Sequence, residues 1–127
     1  MNQSDNNHIF KKEDFGDDFL WGISTSATQT EGNTKDDGKG DSIWDEFARK
    51  KNAIVNNDSP STATNFYENY KEDIQILKNL GIPNFRFSLS WPRIIPNGIG
   101  NINQKGIDFY HNVIDYCLDN EIEPFVT

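Results

Sequence analysis

A helix and a strand stand back to back in the middle of this chain, separated by one short break, and that juxtaposition limits the fold more than any other feature. Phe66, Tyr70, Ile74, Leu77 and Leu80 recur at spacings of 4, 4, 3 and 3. That spacing predicts one apolar face of a helix over Thr64–Leu80, with Thr62 or Thr64 as its cap. Gly81 can adopt the left-handed conformation that ends a helix, and Pro83 prevents continuation. Asn84 to Trp91 then alternates strictly. Phe85, Phe87 and Leu89 point one way, and Arg86, Ser88 and Ser90 the other, as in a strand.

The pattern repeats on both sides. Phe19–Thr25 is a short apolar run whose Gly22 permits close approach of another backbone. A second helix is predicted over Gln104–Asn120, capped by Asn103, with Ile107, Tyr110, Ile114 and Cys117/Leu118 as its stripe. Glu123–Thr127 reads as a third strand. Between the first strand and the first long helix lie 36 residues, Ser26 to Ser61, rich in Gly, Asp, Asn, Ser and Thr. Within them Ser42-Ile43-Trp44-Asp45 has capping-box spacing and predicts a two-turn helix. Pro96-Asn97-Gly98 marks a turn.

Strand, helix, strand, helix, strand requires parallel strands joined by right-handed crossovers. The fold class is therefore α/β, with a doubly wound sheet and an eight-stranded barrel as competing architectures. No G-x-G-x-x-G or phosphate loop follows the first strand, which weakens the nucleotide-binding alternative. The polar face of the second strand suits a barrel interior with a site at one end.

Charge and composition narrow the function classes. Twelve Lys and Arg against 20 Asp and Glu give a net charge of −8. That balance argues against a nucleic-acid partner, because no basic patch would release counterions. One cysteine, Cys117, excludes an internal disulfide framework and a Cys-based zinc site, and its place on the stripe reads as core packing. His8 and His111 have no other ligand at metal spacing and read as surface residues. Residues 1–18 hold no apolar run long enough for a signal peptide, and no stretch elsewhere suits a membrane span. The cytoplasm is the default location on those grounds. Residues 1–14 are expected to form a flexible polar arm, frayed over Met1–Asn7, ahead of a folded unit from 15 to 127. Asn2-Gln3-Ser4 and Asn57-Asp58-Ser59 fit the glycosylation triplet but read as chance matches without a secretion signal. Nothing in the sequence specifies an oligomeric state.

Few residues carry chemistry. Arg86 on the inward face of a central strand is costly unless it meets a carboxylate. That carboxylate could be catalytic or could belong to a structural ion pair. Gln29, just past the first strand, offers one acceptor and two donors, which suits adjacent sugar hydroxyls or simply water. Glu31 and Glu123 lie near strand ends, and nothing places them the roughly 5 Å apart that a retaining glycosidase needs. Structural salt bridges are the expected use of both. Trp21, Trp44 and Trp91 could stack on sugars, but the core is their expected place.

Read together, the segments Phe19-Leu20-Trp21-Gly22, Gln29-Thr30-Glu31-Gly32, Gly38-Lys39-Gly40 and Ser42-Ile43-Trp44-Asp45 resemble the opening of glycoside hydrolase family 1. So do Tyr70-Lys71-Glu72-Asp73-Ile74, Phe85-Arg86-Phe87-Ser88-Leu89-Ser90-Trp91-Pro92-Arg93-Ile94 and Ile122-Glu123-Pro124-Phe125-Val126-Thr127. The match runs in order from about Phe15 to Thr127. The family contains β-glucosidases, β-galactosidases, 6-phospho-β-glycosidases and myrosinases. The resemblance implies a (β/α)8 barrel and hydrolysis with retention, without metal or cofactor, of a β-glucoside or related oligosaccharide. It implies that Gln29 holds hydroxyls of the non-reducing-end sugar, that Arg86 stands beside the nucleophilic glutamate, and that Glu31 and Glu123 are structural.

It also implies what these residues do not contain. Neither the Thr-x-Asn-Glu-Pro motif of the acid/base nor the Thr-Glu-Asn-Gly motif of the nucleophile occurs here. No catalytic residue therefore falls within this chain, and the chain alone is expected to be inactive. A barrel of this type needs about 250 residues, so 127 residues would cover its first three strands and two main helices. Three positions depart from the family. Thr28 stands where an aromatic residue is common, Thr30 where an apolar one is, and Glu121 where a helix-ending Gly is. A left-handed Glu121 would cost on the order of 1 kcal/mol.

Overall fold

The computed structural model describes residues 10–33 and 35–127. Met1–Asn7, His8 and the Asn2 triplet lie outside the described residues. A short 3-10 turn, Lys12–Phe15, opens the described chain. Phe15, Phe19 and Trp21 cluster beside it, with ring centroids 4.8–5.0 Å apart.

Three strands form one parallel sheet in chain order: β1 (Gly22–Ser24), β2 (Asn84–Phe87) and β3 (Glu123–Val126). Gly22 faces Asn84 across the first pair, and a Cβ there would lie 2.8 Å from the Asn84 carbonyl oxygen. The close approach expected of this glycine is therefore real. Five α-helical segments fill the connections: α1 (Ala27–Thr30), α2 (Ile43–Ala48), α3 (Phe66–Asn79), α4 (Trp91–Ile94) and α5 (Gln104–Asp119).

The alternation of β2 sets the layers. Phe85 and Phe87 are buried against α3 and α5, while Arg86 stands exposed on the opposite face. Phe66, Ile74 and Leu77 from α3 and Phe109, Tyr110, Val113 and Cys117 from α5 complete the core, with Ile122 beneath them. The Cys117 thiol is fully buried, and burial pushes its pKa up to about 11, so it packs and does not attack. His111 is exposed, as expected.

Several local expectations change. β2 ends at Phe87 rather than running to Trp91, because Pro92 sits in the first turn of α4 and Ser90 already occupies its N-cap. Pairing with β3 nonetheless persists: Thr127 N donates to the Phe87 carbonyl and Leu89 N to the Thr127 carbonyl. α3 begins two residues later than expected, with Asn65 as its N-cap at φ 59°. Neither Thr62 nor Thr64 caps it; the Thr64 hydroxyl donates to the Thr30 carbonyl at 3.0 Å. Leu80 lies beyond the last helical turn and is 66% exposed, so it leaves the apolar stripe. On α5 the buried stripe is Gly106, Phe109, Tyr110, Val113 and Cys117, and Leu118 is exposed. The stripe is rotated because α5 packs against α4 as well as α3. Asn103 does not cap α5 with its side chain; its amide donates to the Asp37 and Arg93 carbonyls, each at 2.8 Å.

Both long helices end alike. Gly81 N donates to the Lys78 carbonyl and Ile82 N to the Leu77 carbonyl; Glu121 N and Ile122 N repeat this with Leu118 and Cys117. This is the paired closure of a left-handed C-terminal residue. Gly81 holds it at φ 67° without strain, whereas Glu121 must hold it at φ 61°. Glu121→Gly is expected to raise unfolding free energy by about 1 kcal/mol. Urea denaturation of the two chains checks this, and an unchanged or lower midpoint for the glycine variant would count against it.

Candidate functional site

The segments that follow β1 and β2 face one another across a cleft of about 470 Å³. Sites in parallel α/β folds lie at this end, beyond the carboxyl ends of the strands. One wall is Ser26 to Gln29. Ser26 caps α1, and its hydroxyl donates to Gln29 Oε1 at 2.7 Å. That bond orients the exposed Gln29 amide. The other wall is Ser88 to Pro92. The two are tied directly, because Ala27 N donates to Ser88 Oγ at 2.8 Å.

Tryptophans flank the cleft. Trp44 comes from α2 and is 53% exposed; Trp91 opens α4 and is 58% exposed. The expectation that these rings would be core residues is corrected for both, whereas Trp21 is half-buried in its aromatic cluster. Trp91 is held in place by its indole N–H, which donates to the Gly98 carbonyl at 3.0 Å. Two exposed indole faces and an oriented amide around a concave surface suit a polyhydroxylated ring: the rings offer stacking and the amide offers donors and an acceptor.

α2 is fixed by a capping box. Asp45 N donates to Ser42 Oγ, and Ser42 N donates back to Asp45 Oδ2 at 2.7 Å. Lys39 Nζ joins Asp45 Oδ2 at 2.9 Å, and both side chains are 6% exposed. Burial pushes the Asp45 carboxyl up, but the Ser42 and Lys39 hydrogen bonds outweigh it and hold the group below its ordinary value. The charge that anchors Trp44 therefore persists through neutral pH.

Beneath the cleft lies a buried ionic network. Arg93 is 1% exposed and donates from Nε to Glu31 Oε2 at 3.0 Å. Its Nη2 reaches the Gly32 and Asn33 carbonyls, and its guanidinium carbon lies 4.1 Å from the Tyr67 ring centroid. The other Glu31 oxygen accepts from the Tyr110 hydroxyl at 2.6 Å. The structural use expected of Glu31 is thus present. Glu123 differs: it is exposed and has no ion-pair partner among the described residues.

Of the two residues singled out for chemistry, Gln29 lines the cleft and Arg86 does not. Arg86 lies deeper along β2 on the open face of the sheet, where Nη1 donates to Ser24 Oγ at 3.0 Å. No carboxylate pairs with it among the described residues. The sequence reading missed Arg93, Tyr110 and the Lys39–Asp45 pair. Tyr110 carried a usable signal, since a hydroxyl on a buried stripe needs a partner. Glu31, expected to be paired, was the acceptor it lacked.

A model of glycosyl hydrolase family 1 matches residues 11–127. Over 113 residues the chain is 52% identical to the 6-phospho-β-glucosidase GmuD of Bacillus subtilis, covering 88% of this chain and 24% of that protein. It is 47% identical to β-glucosidase A of Thermotoga maritima, covering 89% and 25%. The solved structure of a Thermotoga maritima β-glucosidase in complex with glucoimidazole superposes with a TM-score of 0.83 at 47% identity, over 85% of this chain and 24% of that one. The chain therefore spans about a quarter of the length of the curated relatives it matches. The neighbours are eight-stranded (β/α) barrels, and β1, β2 and β3 with their helices form an unclosed arc of that architecture. On the family match, the identity and the shared fold, the chain belongs to glycosyl hydrolase family 1.

Proposed function

We propose that this chain builds one wall of the sugar site of a retaining β-glycosidase, acting on a β-glucoside. The observation that carries this reading is the cleft at the carboxyl ends of the strands, with the oriented Gln29 amide between Trp44 and Trp91. Gln29 holds hydroxyls of the non-reducing-end sugar. Arg86, exposed on the open face of the sheet, supplies a fixed positive charge to the nucleophilic carboxylate and favours its ionised form. The two glutamates required for retention, one as acid/base and one as nucleophile, come from outside these 127 residues. No metal or cofactor enters the reaction, and the chain works in the cytoplasm.

A 6-phospho-β-glycosidase is the second reading, favoured by the 52% identity to the Bacillus subtilis 6-phospho-β-glucosidase. Assay of a protein that joins this chain to both glutamates, on p-nitrophenyl β-glucoside and on its 6-phosphate, separates the two. The first reading expects the larger kcat/KM on the unphosphorylated substrate, and the reverse order would replace it with the second. The purified 127-residue chain by itself is expected to release no nitrophenol from either. Measurable turnover by that chain would overturn the assignment of both carboxylates to sequence outside it.

A further inference from the structure

Resting on the reading of the cleft as the sugar site, we infer that Tyr110 and Glu31 form a positioning pair that sets the separation of the two cleft walls, and that Tyr110 acts on substrate through Gln29. Tyr110 is 4% exposed and lies in the core with its ring 4.9 Å from that of Phe109. A phenylalanine would fill that space. The hydroxyl is what packing does not require, and burying it is costly unless both its hydrogen-bonding roles are met. Both are met, by groups on opposite walls. The O–H donates to Glu31 Oε1 at 2.6 Å, and the same oxygen accepts from Ser90 N at 2.7 Å.

Each partner is tied to one wall, Glu31 just beyond the first and Ser90 within the second. Glu31 closes α1, its N–H bonded to the Ala27 carbonyl, two residues after Gln29. Ser90 is the N-cap of α4, immediately before Trp91. One phenolic oxygen thus ties the turn that presents the amide to the turn that presents the indole. Arg93 holds the second Glu31 oxygen, so the carboxylate cannot rotate away from Tyr110. Burial and the Glu31 charge push the Tyr110 hydroxyl far above its ordinary pKa, so it remains a neutral donor wherever the fold survives. The Ala27–Ser88 bond is a separate tie at the other end of the same walls, so loss of the hydroxyl loosens the cleft without dissolving it.

The test uses a full barrel in which residues 11–127 replace the matching opening segment of Thermotoga maritima β-glucosidase A. Kinetics on p-nitrophenyl β-glucoside are compared for the unaltered chimera, Gln29→Ala, Tyr110→Phe and the double variant. Tyr110→Phe is expected to raise KM about tenfold while kcat changes less than about twofold. The double variant is expected to match Gln29→Ala alone within about twofold, because Tyr110 acts on substrate through the Gln29 amide. Multiplying losses, or a fall in kcat at constant KM, would overturn the inference. Activity of the unaltered chimera reports separately on the sugar-site reading. Amide hydrogen exchange on the 127-residue chain tests the pair without substrate. Tyr110→Phe is expected to speed exchange on both walls, Ala27–Gly32 and Ser90–Ile94, and to leave α5 unchanged. Faster exchange on one wall only, or throughout the chain, would refute it.

Discussion

Replacing Glu31 with alanine is expected to destabilise the fold by about 3–5 kcal/mol, since removing one member of a buried ion pair leaves the other charged and unpaired. Domains of this size have only about 5–15 kcal/mol in total. Arg93 would keep its charge while losing the carboxylate that meets its Nε. Its Nη1 has no hydrogen-bond partner among the described residues even in the unaltered chain. A guanidinium cannot shed its proton at any pH the fold survives. The reciprocal Arg93→Met is expected to cost less than Glu31→Ala, because Glu31 keeps its hydrogen bond from the Tyr110 hydroxyl. Apolar replacement of both, Glu31→Leu with Arg93→Met, should recover much of the loss. Urea denaturation of the four chains measures this. Equal costs for the two single variants, or a double variant no more stable than Glu31→Ala, would contradict the account of the network.

Gly106→Ala is the second large effect, and its sign is the informative part. A glycine-to-alanine change inside a helix normally stabilises by about 1 kcal/mol. Gly106 lies in the first turn of α5, and a Cβ there would lie 2.1 Å from the Arg93 carbonyl oxygen. The obstacle is backbone, so α4 itself must move. The backbone just beyond α4 is also closely met, since a Cβ on Gly40 would lie 2.0 Å from the Pro96 carbonyl oxygen. Overpacking of this kind against backbone costs roughly 1–3 kcal/mol or more. Thermal unfolding checks the sign: a lower midpoint is expected, and a raised one would show that the contact relaxes freely. Displacement of α4 also moves Trp91, so the same substitution is expected to disturb the cleft.

The frame of the fold was legible because it rests on local rules. The period-4 and period-3 spacing of Phe66, Tyr70, Ile74 and Leu77, the Gly81 stop, and the alternation of Phe85 and Phe87 against Arg86 each report a face or an end. All of these faces and ends appear in the structure. Where the reading slipped, tertiary contact decided. The stripe of α5 is rotated by packing against α4, which spacing within α5 does not encode. Thr62, Thr64 and Asn103 all have capping side chains, yet Thr64 and Asn103 spend their hydrogen bonds on the carbonyls of Thr30, Asp37 and Arg93 in other segments. The site divided in the same way. Gln29 is singled out by its place after a strand and by the family resemblance, and it lines the cleft. Arg93, Tyr110 and Lys39 were missed because their partners lie 62, 79 and 6 residues away, and the two distant pairs leave no local pattern. Trp44 and Trp91 were expected in the core because size and apolarity favour it, and composition does not register that both lie in loop-borne helices at the cleft.

The claim that this segment builds a sugar-holding wall is tested most directly by the chimera on Thermotoga maritima β-glucosidase A, with Gln29 as the probe. The unaltered chimera is expected to hydrolyse p-nitrophenyl β-glucoside. Gln29→Ala is expected to lower kcat/KM by about 10- to 100-fold, the loss of one or two hydrogen bonds to sugar hydroxyls. A folded chimera whose kcat/KM does not respond to the loss of the Gln29 amide would contradict it.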